Sequence, residues 1–413
     1  MNPRACLILS ASILSIALPA CAAAADPSPL AVATAPKASS WETRAGANAS
    51  ELRMFMDFAS GEIDRQTDGL ASRSARFLLA NMNNKDLRSM KAPLLIENLY
   101  YALKARKEFP WAAAVPEDIF MNEVLPYACL DETRDSWRAE FHAKFAPAVK
   151  DCKTVAEANA AIAKCIREKT GVVYSTKRKK YNQSPAESMS QGLASCTGLS
   201  ILKVDALRAV GVPSRIAGIA LWNDKSGNHN WLEVRTENGV WHFTEYDTPA
   251  LNEGWLLDRL DGMPPNRVVH GVWAASFKPT GNPFPFSAFC NSPEVPGLDV
   301  TERYLDLAAA KRKAKGEAAA ASAAGPELRV ILTDAAGLRM SVPVVLSVKR
   351  GQEVLEFKGT TRNEADDRNN LLNFKLKAGD SVTITWTQSD GTLVSKSHTV
   401  TAEPYQTLTF EKK

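Results

Sequence analysis

The chain has 413 residues, which is too long for one ordinary hydrophobic core and predicts two or three domains. Hydrophobic residues make up 45% of the chain and charged residues 23%, a composition typical of globular proteins. The net charge of +4 is weak for this length, which argues against a nucleic-acid-binding protein with a strongly basic face.

Residues 1–21 have the pattern of a secretory signal peptide. Arg4 supplies a positive charge, the stretch ACLILSASILSIALPA is apolar, and small residues follow it. The apolar run is short for a membrane-spanning helix. The sequence LPAC, which ends at Cys21, resembles a bacterial lipobox whose cysteine is lipidated after cleavage, although Pro19 is unusual in that motif. The alternative is ordinary cleavage after one of the alanines at 22–25, which would discard Cys21.

The predicted signal peptide implies an exported protein. No later segment is apolar enough to span a membrane, so a lipid anchor is the expected route to membrane attachment. We expect a periplasmic protein or, if Cys21 is lipidated, an outer-membrane or cell-surface lipoprotein. Residues 22–45 are rich in Ala, Pro and Ser and are predicted to be a linker.

Export also affects the cysteines, because an oxidising compartment favours disulfides. After the two N-terminal cysteines are set aside, five of the seven remain, so one thiol should stay free or pair with another chain. If Cys196 is that thiol, the other four can pair in three ways, and the sequence does not choose among them. These four are Cys129, Cys152, Cys165 and Cys290.

Residues 46–168 carry a helical pattern. The stretch ELRMFMDFASGEIDRQ has apolar residues at helical spacing. The stretch TVAEANAAIAKCIREKTG opens with Thr154 and Glu157, a capping box, and closes with Gly171. These signals predict a helical N-terminal region.

The pattern changes between residues 169 and 305, where strands and helices alternate. Ser184, followed by Pro185 and Glu187, predicts a helix start. A second helix is expected to begin near Cys196, and SRIAGIALW after it is predicted to be a strand. Two further strands should form a hairpin whose turn is Asn238-Gly239.

The C-terminal part consists of a low-complexity segment and a strand-rich region. Residues 306–325 are rich in Ala and Lys and are interpreted as a linker, with a charged helix as the alternative. From residue 326 to residue 413, short strand patterns are separated by recurring turn residues. This spacing predicts a small β-sandwich domain.

Cys196 is the candidate nucleophile. It lies where small residues give way to an apolar helix, and the unpaired N–H groups and positive dipole end of a helix start favour a thiolate. A thiolate nucleophile needs a base, and the base needs an orienting group. His229 opens the first predicted hairpin strand, and Glu245 and Asp247 close the second. A helix and a hairpin can bring these three kinds of side chain together.

The stretch from residue 184 to residue 257 resembles the transglutaminase-like superfamily, whose members share a papain-like arrangement. The matching segments are Cys196 at a helix start, ALRAVGVPSR (206–215), HNWLEV (229–234) and GVW (239–241). The resemblance implies that Cys196 is the nucleophile and His229 its base. The fold class that follows is α+β, in which a helical N-terminal region precedes a papain-like transglutaminase core of helices against an antiparallel sheet. A C-terminal β-sandwich completes the chain.

The third catalytic residue departs from the family pattern. The family usually has Asp four residues after the hairpin tryptophan, and from Trp241 that position is Glu245. Asp247 lies six residues on, in a D-T-P setting like the one that commonly follows the family's acid. Both side chains share the strand parity of Trp241. We therefore rank Asp247 slightly first and keep Glu245 as the alternative.

The reaction implied by the resemblance is acyl transfer through a thioester on Cys196. Water as acceptor gives hydrolysis, and an amine gives a crosslink. The backbone N–H of Cys196 is the expected oxyanion donor, and Gln191 is a candidate second donor. Bacterial members of the family imply a peptidase or amidase, rather than a crosslinking enzyme, acting on a protein or peptide substrate such as a cell-wall peptide.

Two other classes of function stay open. The irregular acid position is compatible with a catalytically inactive binding protein on the same scaffold, and residues 326–413 could instead bind glycans or proteins at the cell surface. The basic run at 177–180 is most simply a solvated loop, with contact to an acidic substrate as the alternative. The sequence contains no CxxC pair, HExxH motif or phosphate-binding loop, so we expect neither a metal nor a nucleotide cofactor.

Overall fold

The computed structural model describes residues 40–223, 227–260, 267–285, 294–314, 325–366, 371–403 and 405–413. The predicted signal peptide with Cys21, most of the 22–45 segment, and Cys290 lie outside the described residues. No helix within the described ranges is both long enough and apolar enough to cross a bilayer.

The N-terminal region is helical, as its periodicity predicts. Leu52, Phe55, Leu78 and Leu99 come from three different helices and are fully buried in one shared apolar core. The first helix begins inside the segment predicted to be a linker. The helices are α1 (Trp41–Ala45), α2 (Ala49–Ala59), α3 (Glu62–Arg65), α4 (Leu70–Asn81), α5 (Asn84–Leu87), α6 (Ala92–Glu108), α7 (Pro110–Ala113), α8 (Glu117–Ile119), a π-helical turn (Phe120–Val124), α9 (Arg138–Val149) and α10 (Val155–Thr170).

Local capping explains two of the helix starts. The Thr154 hydroxyl accepts the N–H of Glu157 at 3.2 Å, and the Glu157 carboxylate accepts the N–H of Thr154 in return at 3.3 Å. Ser184 and Glu187 form the same pair of hydrogen bonds at the start of the helix Pro185–Gln191. Both capping boxes predicted from the sequence are thus confirmed.

The central region packs helices against an antiparallel sheet, which confirms the predicted fold class. The helices and strands of this region are β1 (Val173–Tyr174), α11 (Pro185–Gln191), β2 (Leu193–Ala194), α12 (Cys196–Ala209), β3 (Ser214–Ile219), β4 (His229–Arg235), β5 (Trp241–Thr244), a 3-10 helix (Trp255–Arg259), α13 (Arg267–His270), β6 (Val272–Ala275), β7 (Gly297–Asp299) and α14 (Thr301–Ala314). The antiparallel sheet has the strand order β5-β4-β3-β6-β7.

Helix α12 is the central element of this region. Its residues Leu202 and Ala206 share one apolar cluster with Ile216, Leu232 and Val234 of strands β3 and β4, and all five are fully buried. Burying side chains of this kind stabilises the fold by about 1.5–3 kcal/mol for each large one. Helix α12 is therefore packed against strands β3 and β4 through its middle turns.

The pairing of β4 with β5 in a hairpin determines which residues lie near His229. Its turn closes between Thr236 and Val240, with Gly239 at a φ of 83°, the left-handed region that favours glycine. Leu232 lies opposite Thr244. His229, three residues before Leu232, is thus placed near the residues that follow Thr244.

The C-terminal region forms two sheets around an apolar core. Residues 306–314 belong to α14, so the first part of the predicted linker is helical. The charged-helix alternative fits this part of the segment. The strands are β8 (Glu327–Thr333), β9 (Pro343–Arg350), β10 (Glu353–Thr360), β11 (Leu372–Lys375), β12 (Ser381–Thr387), β13 (Leu393–Thr399) and β14 (Tyr405–Glu411). Their orders in the two sheets are β10-β9-β12-β13 and β11-β8-β14.

The four cysteines that the structure describes are free thiols, so none of the pairings expected among described cysteines is present. Cys129 packs against α12, where its sulfur lies 3.5 Å from Oδ1 of Asp205. Cys152 follows α9, and Cys165 lies within α10. All three pack against the same apolar cluster.

Candidate active site

Cys196 is the first residue of α12, as the sequence predicts. Ser195 caps the helix: its hydroxyl accepts the N–H of Gly198 at 3.0 Å and donates to the carbonyl of Tyr181 at 2.5 Å. Cys196 is half-buried and lines a cleft. The cap fixes the first turn of α12 and with it the position of the thiol at the helix N-terminus.

His229 is the first residue of β4, and its side chain is buried. Its Nε2 lies 3.0 Å from Oε1 of Glu245, which directly follows β5. The ring centroid of Trp255 lies 4.9 Å from that of the imidazole. One ring nitrogen of His229 is therefore oriented by a carboxylate while an indole covers the ring.

Cys196, His229 and Glu245 line the same cleft, whose volume is about 490 Å³. Asp247 also lines it, but its carboxylate is 2.9 Å from Nη2 of Arg167. The structure thus brings the predicted thiol, the predicted imidazole and one of the two predicted acids together. The carboxylate that contacts the imidazole is Glu245, while the residue ranked first from the sequence contacts a guanidinium.

A second pair of contacts links the residues next to the thiol and the imidazole. Nδ2 of Asn230 donates to Oγ1 of Thr197 at 2.8 Å, and both side chains are buried. Oγ of Ser200 donates to the carbonyl of Asn230 at 3.3 Å. These bonds join the first turns of α12 to the start of β4 and so fix the thiol relative to the imidazole.

This geometry can be compared with known proteins. Residues 143–246 match the family model of the transglutaminase-like superfamily. This segment is similar to members of that superfamily, and we call it the transglutaminase-like core. It includes Cys196, His229 and Glu245, the three side chains that the cleft brings together.

Two solved structures are similar to larger parts of the chain, at low identity. One is a candidate cysteine protease from Cytophaga hutchinsonii, 16% identical with a TM-score of 0.27, where the match covers 34% of this chain and 47% of that one. The other is red sea bream transglutaminase, which is 9% identical with a TM-score of 0.26. That match covers 64% of this chain and 58% of the transglutaminase. The chain spans about half the length of these two proteins. No curated protein matches the chain significantly.

Gln191, the candidate second oxyanion donor, lies elsewhere on the transglutaminase-like core. Its side-chain amide donates to the carbonyl of Lys177 at 3.3 Å, and its oxygen accepts from the N–H of Lys179 at 3.0 Å. It is not among the described residues that line the cleft. The Gln191 side chain thus organises the basic 177–180 loop, where Lys180 forms an ion pair with Glu187.

The tryptophan and glutamate of the HNWLEV motif hold the sheet of the transglutaminase-like core together. Nε1 of Trp231 donates to the hydroxyl of Tyr304 at 2.6 Å, and that hydroxyl donates to Glu233 at 2.8 Å. Glu233 also accepts from Arg215 and Arg303. Burial opposes ionisation of Glu233, but the two guanidinium groups outweigh it and lower the pKa of its carboxyl. These residues keep β4 in place rather than facing the cleft.

Sequence reasoning did not single out Thr197, Asn230 or Lys203. Thr197 and Asn230 adjoin the predicted nucleophile and base, and their pairing depends on the contact between α12 and β4. Lys203 had a detectable signal, since a lysine within the apolar run ILKVDAL is out of place on a buried helix. In the structure it is fully buried beneath Glu245 and Thr248.

Proposed function

We propose that the chain is a cysteine hydrolase or acyltransferase that acts on amide bonds through a thioester, with hydrolysis favoured over crosslinking. The observation that carries the proposal is the convergence in one cleft of Cys196, at a helix N-terminus, and His229, oriented at 3.0 Å by Glu245. This arrangement supplies a nucleophile, a base and an orienting carboxylate.

The reaction begins when the Cys196 sulfur attacks the carbonyl carbon of an amide. Because Nε2 of His229 contacts Glu245, the proposal assigns proton exchange with the thiol to Nδ1. The tetrahedral intermediate collapses to a thioester as the imidazolium gives its proton to the leaving amine. A water molecule then attacks the thioester, His229 takes its proton, and the thiol is restored together with a carboxylic acid.

The backbone supplies one donor for the developing oxyanion. The N–H of Cys196 belongs to the first helical turn, whose N–H groups have no acceptor within the helix. Removing an oxyanion donor costs on the order of a hundredfold or more in rate, so this N–H is an important part of the proposal.

The charge of the cleft supports a particular kind of substrate. Glu245, Asp247, Glu253 and Asp366 line it together with Arg167, which already contacts Asp247. Such a surface attracts positive charge and repels carboxylates. We therefore propose a protein or peptide substrate, including cell-wall peptides, with a basic side chain or a free amino group near the scissile bond.

The test compares the purified wild-type protein with Cys196→Ala and the matched control Cys152→Ala on casein and on cell-wall peptides. Mass spectrometry identifies the products, and an added fluorescent primary amine reports crosslinking. We expect wild type and Cys152→Ala to release free amines and Cys196→Ala to lose turnover. Equal turnover by Cys196→Ala and wild type would contradict the proposal. Peptide binding in the cleft without turnover would support the inactive binding-protein alternative.

Export remains part of the proposal, supported by the sequence pattern of residues 1–21. If Cys21 is lipidated, the protein will partition into the membrane fraction and incorporate labelled palmitate, and Cys21→Ala will do neither. If cleavage occurs after the following alanines, the mature N-terminus identified by mass spectrometry will lie beyond Cys21 in a soluble protein.

A further inference from the structure

Lys203 makes three hydrogen bonds at a fully buried position below the cleft. Its Nζ donates to Oγ1 of Thr244 at 3.3 Å, to the carbonyl of Glu245 at 2.7 Å and to the carbonyl of Thr248 at 3.0 Å. All three acceptors belong to the end of β5 and the segment that follows it. A single ammonium group therefore ties this segment to α12.

An ammonium group in such a place is energetically costly. Its acceptors are a hydroxyl and two carbonyls, which stabilise a positive charge less than a contacting carboxylate would. Burial lowers the pKa of Lys203 to about 7, and the negative charges of Asp247 and Glu245 oppose this shift. A methionine or leucine would fill a helix–sheet interface at lower cost, so packing alone does not account for a lysine here.

The position of Lys203 on α12 relates it to the other parts of the site. It lies seven residues after Cys196, about two turns along the helix, so both residues point to the same side. Between them, Ser200 donates to the carbonyl of Asn230, next to His229. One face of α12 thus carries the thiol, a bond to the strand that bears the imidazole, and a bond to the segment that bears the acid.

We propose that Lys203 is a positioning residue that holds the segment 244–248 so that Glu245, and not Asp247, faces His229. The inference rests on the proposed function, because it concerns the acid of the same site. The bond from Lys203 to the carbonyl of Glu245 fixes the backbone from which the Glu245 side chain reaches Nε2 of His229 at 3.0 Å. The bond to the carbonyl of Thr248 closes the segment beyond Asp247, whose carboxylate turns to Arg167.

The experiment compares Lys203→Met, which keeps the length of the side chain without its donors, with Lys203→Gln, which keeps an uncharged donor. Glu245→Gln is the reference for a misplaced acid. Two quantities are measured for each folded variant: kcat and KM on a cleaved peptide, and the pH midpoint of Cys196 alkylation by iodoacetamide, which needs no substrate.

We expect Lys203→Met to lower kcat by about ten- to hundredfold, a loss typical of a misplaced catalytic group, with little change in KM. Its alkylation midpoint should shift in the same direction as that of Glu245→Gln, and the double variant should be no worse than Glu245→Gln alone. Lys203→Gln should recover part of the loss. A lysine that serves packing alone would lower the melting temperature and leave the alkylation midpoint unchanged.

A milder variant covers the case in which Lys203→Met does not fold. Thr244→Val removes one acceptor of the ammonium group while preserving side-chain volume, and it should shift the alkylation midpoint in the same direction by a smaller amount. The proposal is overturned if the folded variants keep the wild-type kcat and midpoint, or if Lys203→Met and Glu245→Gln act additively. If Cys196→Ala retains full turnover, the proposed function fails instead, and that result is independent of Lys203.

Discussion

His229 and Glu245 are joined by a 3.0 Å contact between Nε2 and Oε1, although the sequence favoured a different acid. Asp247, two residues further on, contacts Arg167 at 2.9 Å. The two carboxylates line one cleft, so exchanging each for its amide is a direct test of which one orients the imidazole.

Glu245→Gln should lower kcat by about a hundredfold or more, because the amide no longer stabilises the imidazolium formed during the reaction. Asp247→Asn, the matched control in the same cleft, should lower kcat only slightly. Steady-state kinetics of the two variants on one peptide provides the measurement. A larger loss in Asp247→Asn than in Glu245→Gln would instead assign the orienting role to Asp247.

Gly218 lies opposite Asn230 in the pairing of β3 with β4. A Cβ at this position would lie 1.9 Å from Oδ1 of Asn230 and 2.8 Å from the carbonyl of His229. Gly218→Ala should therefore push the start of β4 away from α12, lowering the free energy of unfolding by about 1–3 kcal/mol and kcat as well.

Urea unfolding and kinetics of Gly218→Ala, Asn230→Ala and the double variant test this explanation. If the clash with the Asn230 side chain causes part of the damage, the double variant will be more stable than the sum of the single effects predicts. Strict additivity would show that the Asn230 side chain is not involved.

The thiols should differ in their reaction with iodoacetamide. Burial, followed by the nearby charge of Asp205, raises the pKa of Cys129 well above its ordinary value, whereas Cys196 lines the open cleft. In the native protein at neutral pH we expect alkylation of Cys196 and protection of Cys129, with Cys129 labelled after unfolding in urea. Peptide mapping by mass spectrometry distinguishes the two sites. An unreactive Cys196 in the native protein would favour the binding-protein alternative.

Lys203 should give the protein a specific dependence of stability on pH. Because burial lowers its pKa to about 7 from 10.5, the unfolded chain retains a proton between these values that the folded chain has released. The unfolded state then binds more protons, so the contribution of Lys203 to the free energy of unfolding rises with pH across this window.

Urea unfolding of wild type and Lys203→Met at about pH 6.5 and about pH 9.5 measures this effect. Groups far from Lys203 titrate equally in both proteins, so the comparison removes their contribution to the pH dependence. We expect the free energy of unfolding of the wild type, relative to the variant, to be larger at the higher pH. If the difference in free energy of unfolding between wild type and Lys203→Met is the same at both pH values, Lys203 has the same protonation in the folded and unfolded states.

Several features of the site were predictable because they depend on short-range chemistry. The capping boxes at Thr154 and Ser184 satisfy backbone donors within three residues, so the sequence contains all the groups involved. The start of α12 at Cys196 and the hairpin turn at Asn238-Gly239 are local in the same way. These predictions, with the family resemblance, were enough to place the thiol and the imidazole on the correct elements.

The sequence by itself determined the helices, the hairpin and the identities of the nucleophile and base candidates, because periodicity, caps and turn residues act between near neighbours. Only the tertiary structure decided which acid meets His229, where Gln191 points and why a lysine is buried under the site. Those outcomes depend on Arg167, Lys203 and Lys177, which come from different parts of the fold. The local pattern could not choose between Glu245 and Asp247, because the two residues have the same strand parity. When two side chains share a local pattern, distant partners and their charges decide which one faces the cleft.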